Sequence, residues 1–306
     1  MGLFRNKSGE LRAWLRLSIF YVAAAGAALA LMVALAAALP SSREVKLHTN
    51  SLAAINPWLL AFCGLVVLVP VAAVAVAARG LLDGKAPLAS LGLRPRGAPA
   101  GLSVGFGGGV LFLAITCGLI ALAGGAGFRP AFSAPAALFA AAGPLAYFAV
   151  LAATEELTLR GYPIKVLDES WGRAGAVLST SLVFSLLHLL NPGAGVLPLV
   201  NVALAGAILA LLYLQSGSLW LAIGFHWGWN FAEGGVFGFP VSGVAFNPQL
   251  LKVFAKGPVW LSGGSFAPEG SVALTVTSAI LILLLITKRI PYPNASSGAL
   301  AGGASI

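Results

Sequence analysis

AALFAAAGPLAYFAVLAATEELTLR, residues 136–160, reads as an apolar helix that ends in two carboxylates and a guanidinium. At 1.5 Å per residue, a run of about 20 residues crosses a hydrocarbon core of ~30 Å. Working outward, seven further apolar runs have comparable character, at about 17–39, 56–78, 101–124, 174–191, 196–214, 218–233 and 271–287. The predicted fold class is therefore an all-α polytopic membrane protein, a bundle of about eight transmembrane helices. The alternating segments of ~10 residues that mark a transmembrane barrel are not seen.

Composition agrees. The chain of 306 residues is 59% hydrophobic and 9% charged, with a mean hydropathy of +0.94. A water-soluble domain hides only its interior and has no use for so much apolar residue. The net charge of +9 does not indicate nucleic acid, because the basic residues are spread over short loops instead of forming a stripe with interleaved aromatics. With the N-terminus in the cytoplasm, Arg43, Lys46, Arg129, Lys252 and Lys256 fall outside, leaving thirteen of the eighteen Lys and Arg inside. That bias predicts cytoplasmic N- and C-termini. The protein is expected in the plasma membrane if the source is bacterial, with its first helix retained, since 17–39 exceeds a signal h-region of 7–15 residues.

The expected organisation is 1–135 as transmembrane helices one to three, 136–290 as a transmembrane core and 291–306 as a disordered Ser/Gly/Ala-rich tail. Cys63 and Cys117 lie in apolar runs without metal-ligand spacing and read as small packing residues. Gly101-x-x-x-Gly105 and Gly224-x-x-x-Gly228 have the spacing of close membrane helix contacts, although 38 glycines make such spacings common.

An acidic side chain near the centre of a membrane helix costs roughly 2.5–3.5 kcal/mol, so Glu155 and Glu156 demand a reason. Glu156 and Arg160, four apart, share a helix face and can pair; Glu155 is turned about 100° away and can address another neighbour. Phe184 and His188 form a second i, i+4 pair, and His226 and Asn230 a third. Imidazole transfers protons at neutral pH and an amide donates without carrying charge, which together meet the needs of peptide hydrolysis, activated water and a held oxyanion. Taken singly, each pair reads equally well as interhelical hydrogen bonding. Glu233 shares the face of His226 and Asn230 and reads as a water-exposed helix end in preference to a residue that tunes His226. Asn191 and Asn201 read as caps or cross-links, and His48 as a solvated loop residue. Trp227 and Trp229 fit either a cavity wall or an interface.

The ordered series Glu155-Glu156-x-x-x-Arg160, Phe184-x-x-x-His188 and His226-x-x-x-Asn230 resembles the CPBP family, the CAAX-protease and bacteriocin-processing intramembrane proteases. Arg160-Gly161-Tyr162 and Gly238-Phe239-Pro240-Val241-Ser242-Gly243 extend the likeness over about 136–245. The resemblance implies an intramembrane endopeptidase with its catalytic cavity between helices, of the type II CAAX prenyl endopeptidase kind. By motif position, Glu155 would be the general base on water, assisted by His188, with His226 and Asn230 stabilising the oxyanion. Glu156 would hold the site or share in catalysis, with Arg160 and Phe184 in support. No cofactor is favoured; if zinc is used, Glu155, His188 and His226 would hold it. The implied partners are the lipid bilayer and a membrane-associated protein or peptide substrate, lipid-modified or not. A catalytically silent scaffold or immunity protein and a proton-coupled transporter are the competing readings.

One distance sets a structural expectation. With helix four ending near Leu159, Glu155 lies only ~6 Å from the inner end, whereas His188 lies ~21 Å deep. The two meet only if helix four runs on past Arg160 toward Leu167, with a kink or break at 160–164, where Pro163 falls.

Overall fold

The computed structural model describes residue 4 and residues 11–38, 56–131 and 134–287. His48, Arg5, Lys7, Arg43, Lys46 and the 291–306 tail lie outside them.

Eight helices of twelve or more residues follow the expected order: α1 (Ala13–Ala38), α2 (Pro57–Leu81), α3 (Ala98–Leu122), α4 (Ala134–Glu156), α5 (Tyr162–Leu187), α6 (Val196–Ser216), α7 (Leu219–Asn230) and α8 (Val272–Ile286). Four spans, Ala13–Ala38, Pro57–Leu81, Pro95–Leu122 and Val196–Ser216, are long and apolar enough to cross a membrane unaided. The protein is an all-α integral membrane bundle. The helices bearing the three polar motifs are α4, α5 and α7; of these, α5 contains the non-helical Gly172 and α7 has only 12 residues.

The interruption after α4 lies where the depth argument needs it. Helix continues beyond Glu156 through a π turn, Leu157–Gly161, straight into α5. Pro163 has no N–H to give Leu159, and the Thr154 and Thr158 hydroxyls donate to the carbonyls of Val150 and Thr154 at 2.7 Å each, so the regular ladder slips by a residue. Gly161 carries the local distortion, with ψ −112°.

A second break was not anticipated. Gly172 adopts φ 74°, ψ 170°, a conformation closed to residues with a Cβ, and reverses the chain inside α5. Arg160 and Phe184, equidistant in sequence from Gly172, meet across the hairpin with the guanidinium 4.5 Å from the ring centroid. Glu155 and His188 are then about 25 and about 24 Å from the turn at helical rise, which brings them to one depth. The second arm is shorter than expected: α5 ends at Leu187, and His188 is its C-cap, not a residue inside the helix.

That arm shows the reversed amphipathicity of a lipid-facing helix. Leu178, Leu182 and Leu186 are exposed, while Thr180, Ser181 and Ser185 are buried toward α6, where Ser185 Oγ donates to the Leu199 carbonyl at 2.7 Å.

The most intimate contact joins α3 to α7, and glycines make it. A Cβ on Gly105 would lie 2.4 Å from Leu221 O, and one on Gly224 would lie 2.5 Å from Leu102 O. Gly109 and Gly228 are tighter still, with 2.1 Å to Phe225 O and Phe106 O. Both glycine pairs singled out in the sequence are thus packing contacts, and they fix the helix that carries His226 and Asn230.

The two ends of the bundle differ. At one, β1 (Ala126–Pro130) pairs antiparallel with β2 (Leu251–Ala255), Phe128 opposite Val253. At the other, Arg16 of α1 bonds Asp83 at 2.9 Å and Glu169 at 3.0 Å, while Arg79 of α2 bonds the same two carboxylates at 2.8 Å each. Lys85 joins Glu169 at 2.6 Å. Burial alone would raise the Glu169 carboxyl, but hydrogen bonds from Arg79, Lys85 and Arg16 outweigh it and hold the group at about 2. This network ties the 162–171 arm to α1 and α2.

Candidate active site

The three motifs converge on a cavity of about 170 Å3 whose wall includes Glu155 from α4, Phe184 and His188 from α5, and His226 and Asn230 from α7. Tyr147, Trp229, Ser242, Phe246 and Glu269 complete much of the lining. A second cavity, between α4 and the outer arm of α5, shares Glu155, Phe184, His188 and Asn191 with the first. Its rim includes Leu187, exposed on the lipid-facing side.

Glu156 and Arg160 are fully buried and paired, with Nη1 3.0 Å from Oε1. Arg160 Nη2 also donates to the Gly206 carbonyl at 3.3 Å, and its guanidinium plane rests on Phe184. A buried charge is tolerated only when paired and hydrogen-bonded, and these contacts supply part of that, leaving Glu156 Oε2 and Arg160 Nε without a protein partner.

Glu156 has a second duty that spacing did not indicate. Its Oε1 accepts from His226 Nδ1 at 3.0 Å, which fixes that nitrogen as the protonated one and turns Nε2 toward Glu155, 3.5 Å from Oε2. The two adjacent glutamates therefore hold one imidazole from either side. Glu155 differs in access: its side chain is 28% exposed, whereas that of Glu156 is 0%. The paired carboxylate is sealed and the other opens on the cavity.

His188 is oriented in the same manner. Its Nδ1 lies 2.7 Å from the Phe184 carbonyl, an acceptor, so Nδ1 carries hydrogen and Nε2 is left as the free basic nitrogen. Ring contacts at 4.7 Å to Phe184 keep the imidazole in place. Asn230 is 4% exposed and lines the cavity one helical turn beyond His226.

One expectation is corrected and others are narrowed. Glu233 is not a water-exposed helix end: it is fully buried and its Oε2 accepts from Trp229 Nε1 at 3.0 Å. The cause is a π turn, Phe231–Phe237, which carries the chain of α7 on into protein. Trp229 is therefore a cavity-wall residue, and Trp227 donates to the Leu145 carbonyl at 2.9 Å. Asn191 and Asn201 are cross-links: Asn191 Nδ2 donates to Ser242 O at 3.0 Å, and Asn201 Nδ2 to Glu269 O at 2.7 Å.

Glu269 and Ser242 were missed as site residues. Glu269 is 6% exposed, and its Oε1 accepts from Ser242 Oγ at 3.1 Å. Burial raises this carboxyl above the ordinary range. A signal existed. With Glu155, Glu156 and Glu233 it makes four of only nine acidic residues in the chain that lie at or beside apolar segments of the core.

Among the described residues no group of three or more His, Cys, Asp or Glu side chains is disposed to hold a metal ion, Glu155, His188 and His226 included.

Residues 137–232 match the model of the Rce1-like family, described as type II CAAX prenyl endopeptidase Rce1-like. No curated protein and no solved structure matches the chain. The matched segment begins in α4 and ends just after Asn230, so it contains all three motifs.

Proposed function

We propose, from the match of residues 137–232 to the model of the Rce1-like type II CAAX prenyl endopeptidase family, that this protein is an intramembrane endopeptidase. It hydrolyses a peptide bond in a membrane-associated protein or peptide by glutamate-activated water. The observation that carries this reading is the unequal treatment of the two glutamates: Glu156 is sealed by Arg160 and His226, while Glu155 opens on the cavity beside the same imidazole.

In this mechanism Glu155 takes a proton from water, and the free Nε2 of His188 assists in orienting that water. The hydroxide adds to the scissile carbonyl. The resulting oxyanion is stabilised by the Asn230 amide and by His226, which as the imidazolium donates from Nε2 while its Nδ1 donates to Glu156. Donors held in place before reaction need no reorganisation when charge develops, which is the main source of such stabilisation. Arg160 and Phe184 support Glu156, and the Phe184 ring also forms part of the cavity wall.

The second cavity suits a substrate that approaches from the lipid, because it opens beside Leu187 and reaches Glu155 and His188. The protein sits with both termini in the cytoplasm, on the charge bias of its loops, and in the plasma membrane if the source is bacterial. The glutamate-activated water favours no cofactor for this hydrolysis.

The test is comparison of protein ends in membranes carrying wild type or Glu155→Ala. A new peptide end present in wild type and lost in the variant supports the reading, and the corresponding peptide becomes the substrate for purified enzyme. Identical ends in both, with equal rescue of a deletion phenotype, would instead favour a scaffold.

A further inference from the structure

Glu269 lies outside the three motifs, yet several side chains serve to position it. It falls in the 310 turn Gly264–Gly270, immediately before Ser271, the N-cap of α8. Asn201 of α6 donates to the carbonyls of both Glu269 and Ser271, at 2.7 and 2.9 Å, and Thr275 Oγ1 donates to Asn201 Oδ1 at 2.7 Å. The backbone is thereby fixed. The carboxyl is fixed separately, by Ser242, which is held at φ 45° in the left-handed region rarely taken by non-glycine residues.

What remains is an oxygen without a protein partner. Glu269 Oε2 is buried and unbonded in a side chain that lines the catalytic cavity. Glu233 presents a second such oxygen, Oε1, and the two carboxyls lie close enough to repel one another. A buried carboxyl with an unpartnered oxygen disfavours ionisation, and a second one nearby disfavours it further, so a proton is retained there. The other groups facing Glu269 are His226 of α7 and Glu155 of α4. Acid and base reach the cavity from different walls, for α4 packs on α2 and α7, whereas 264–270 packs on α6 and α8.

Hydrolysis needs a proton on that side of the reaction. An amide nitrogen does not depart as an anion, so a positioned acid must protonate it as the C–N bond breaks. We propose that Glu269 is the general acid of this site, donating to the leaving nitrogen the proton it holds with Glu233. This assignment rests on the peptidase reading above. Water gives one proton to Glu155 and its oxygen bonds the carbonyl carbon. The tetrahedral intermediate then collapses, the C–N electron pair goes to nitrogen, and nitrogen takes the proton of Glu269. The proton on Glu155 returns to Glu269 as products leave, restoring both groups. Glu233 and Ser242 are positioning residues for Glu269.

The experiment uses purified full-length protein and two probes: a peptide the wild type cleaves, and its depsipeptide counterpart with the scissile N–H replaced by oxygen. An alkoxide leaves with far less need of protonation than an amine. Glu269→Gln is expected to slow peptide cleavage about a hundred- to ten-thousand-fold, the usual worth of a general acid, and depsipeptide cleavage less than about tenfold. Equal losses on both probes, or no loss on the peptide, overturn the assignment. If thermal unfolding shows Glu269→Gln to be misfolded, Ser242→Gly decides: loss confined to the peptide supports the proposal, and equal or absent loss refutes it. Glu155→Ala must abolish cleavage of both probes. If it does not, or if wild type cleaves neither, the peptidase reading fails and the assignment with it.

Discussion

Replacing Arg160 by methionine tests whether the motif arginine works through electrostatics inside the fold. Its guanidinium is fully buried, 3.0 Å from Glu156, 3.3 Å from the Gly206 carbonyl and 4.5 Å from the Phe184 ring centroid. At an effective dielectric of about 20, unit charges 3.0 Å apart attract by roughly 5.5 kcal/mol. The variant leaves Glu156 sealed, with His226 Nδ1 as its remaining donor. Removing one partner of a buried pair typically costs about 3–5 kcal/mol, and that is the destabilisation expected here. Denaturant unfolding in detergent micelles, followed by tryptophan fluorescence, measures it. The decisive comparison is Arg160→Met with Glu156→Gln in one chain, which removes both charges. If the uncompensated carboxylate causes the loss, the double variant is more stable than Arg160→Met alone by about 2 kcal/mol or more. A cost below about 1 kcal/mol for the single variant, or strictly additive costs, would refute the reasoning.

Glu155→Gln should abolish cleavage while shifting unfolding by less than about 1 kcal/mol, since this side chain is partly exposed and outside the Arg160 pair; loss of the folded state would contradict its separate role. Gly109→Ala should force α3 from α7, costing about 1–3 kcal/mol and displacing His226, whereas Gly107→Ala, with open space around its position, should be neutral. Equal effects in the two variants would count against the packing account. Glu169 is depressed to about 2 in the folded protein, so its contribution is complete above the ordinary carboxylate pKa of about 4.5 and lost as pH falls from there toward 2. Glu169→Gln should flatten that acid limb in pH-dependent unfolding, and an unchanged limb would place the sensitivity elsewhere. A metal chelator should leave cleavage unchanged; inhibition reversed by added zinc would overturn the metal-free mechanism.

The eight helices were legible because crossing hydrocarbon requires long apolar runs, and that demand is written residue by residue along the chain. Their order and approximate limits, from Ala13 to Ile286, follow from it. The Glu156–Arg160 pairing was legible for a similar reason, since i, i+4 spacing fixes a shared face before any tertiary contact exists. Pro163 likewise announced a break near Arg160.

Contacts between helices are not periodic in sequence, and there the reading stopped. The reversal at Gly172 decides that Glu155 and His188 share a depth, but a glycine between Trp171 and Arg173 is one among 38. That Glu156 grips His226 as well as Arg160 depends on how closely α7 lies to α4, and the glycine seam between α3 and α7 helps to set that position. Glu233 and Glu269 are far apart along the chain and look like helix-end charges in it. Only folding removes both from water and aims one at the cavity. The sequence by itself determined which segments enter the membrane and which polar residues go with them. The tertiary structure decided which carboxylates are neutralised, which stay open and which nitrogen each histidine presents, because those properties depend on neighbours brought close in space.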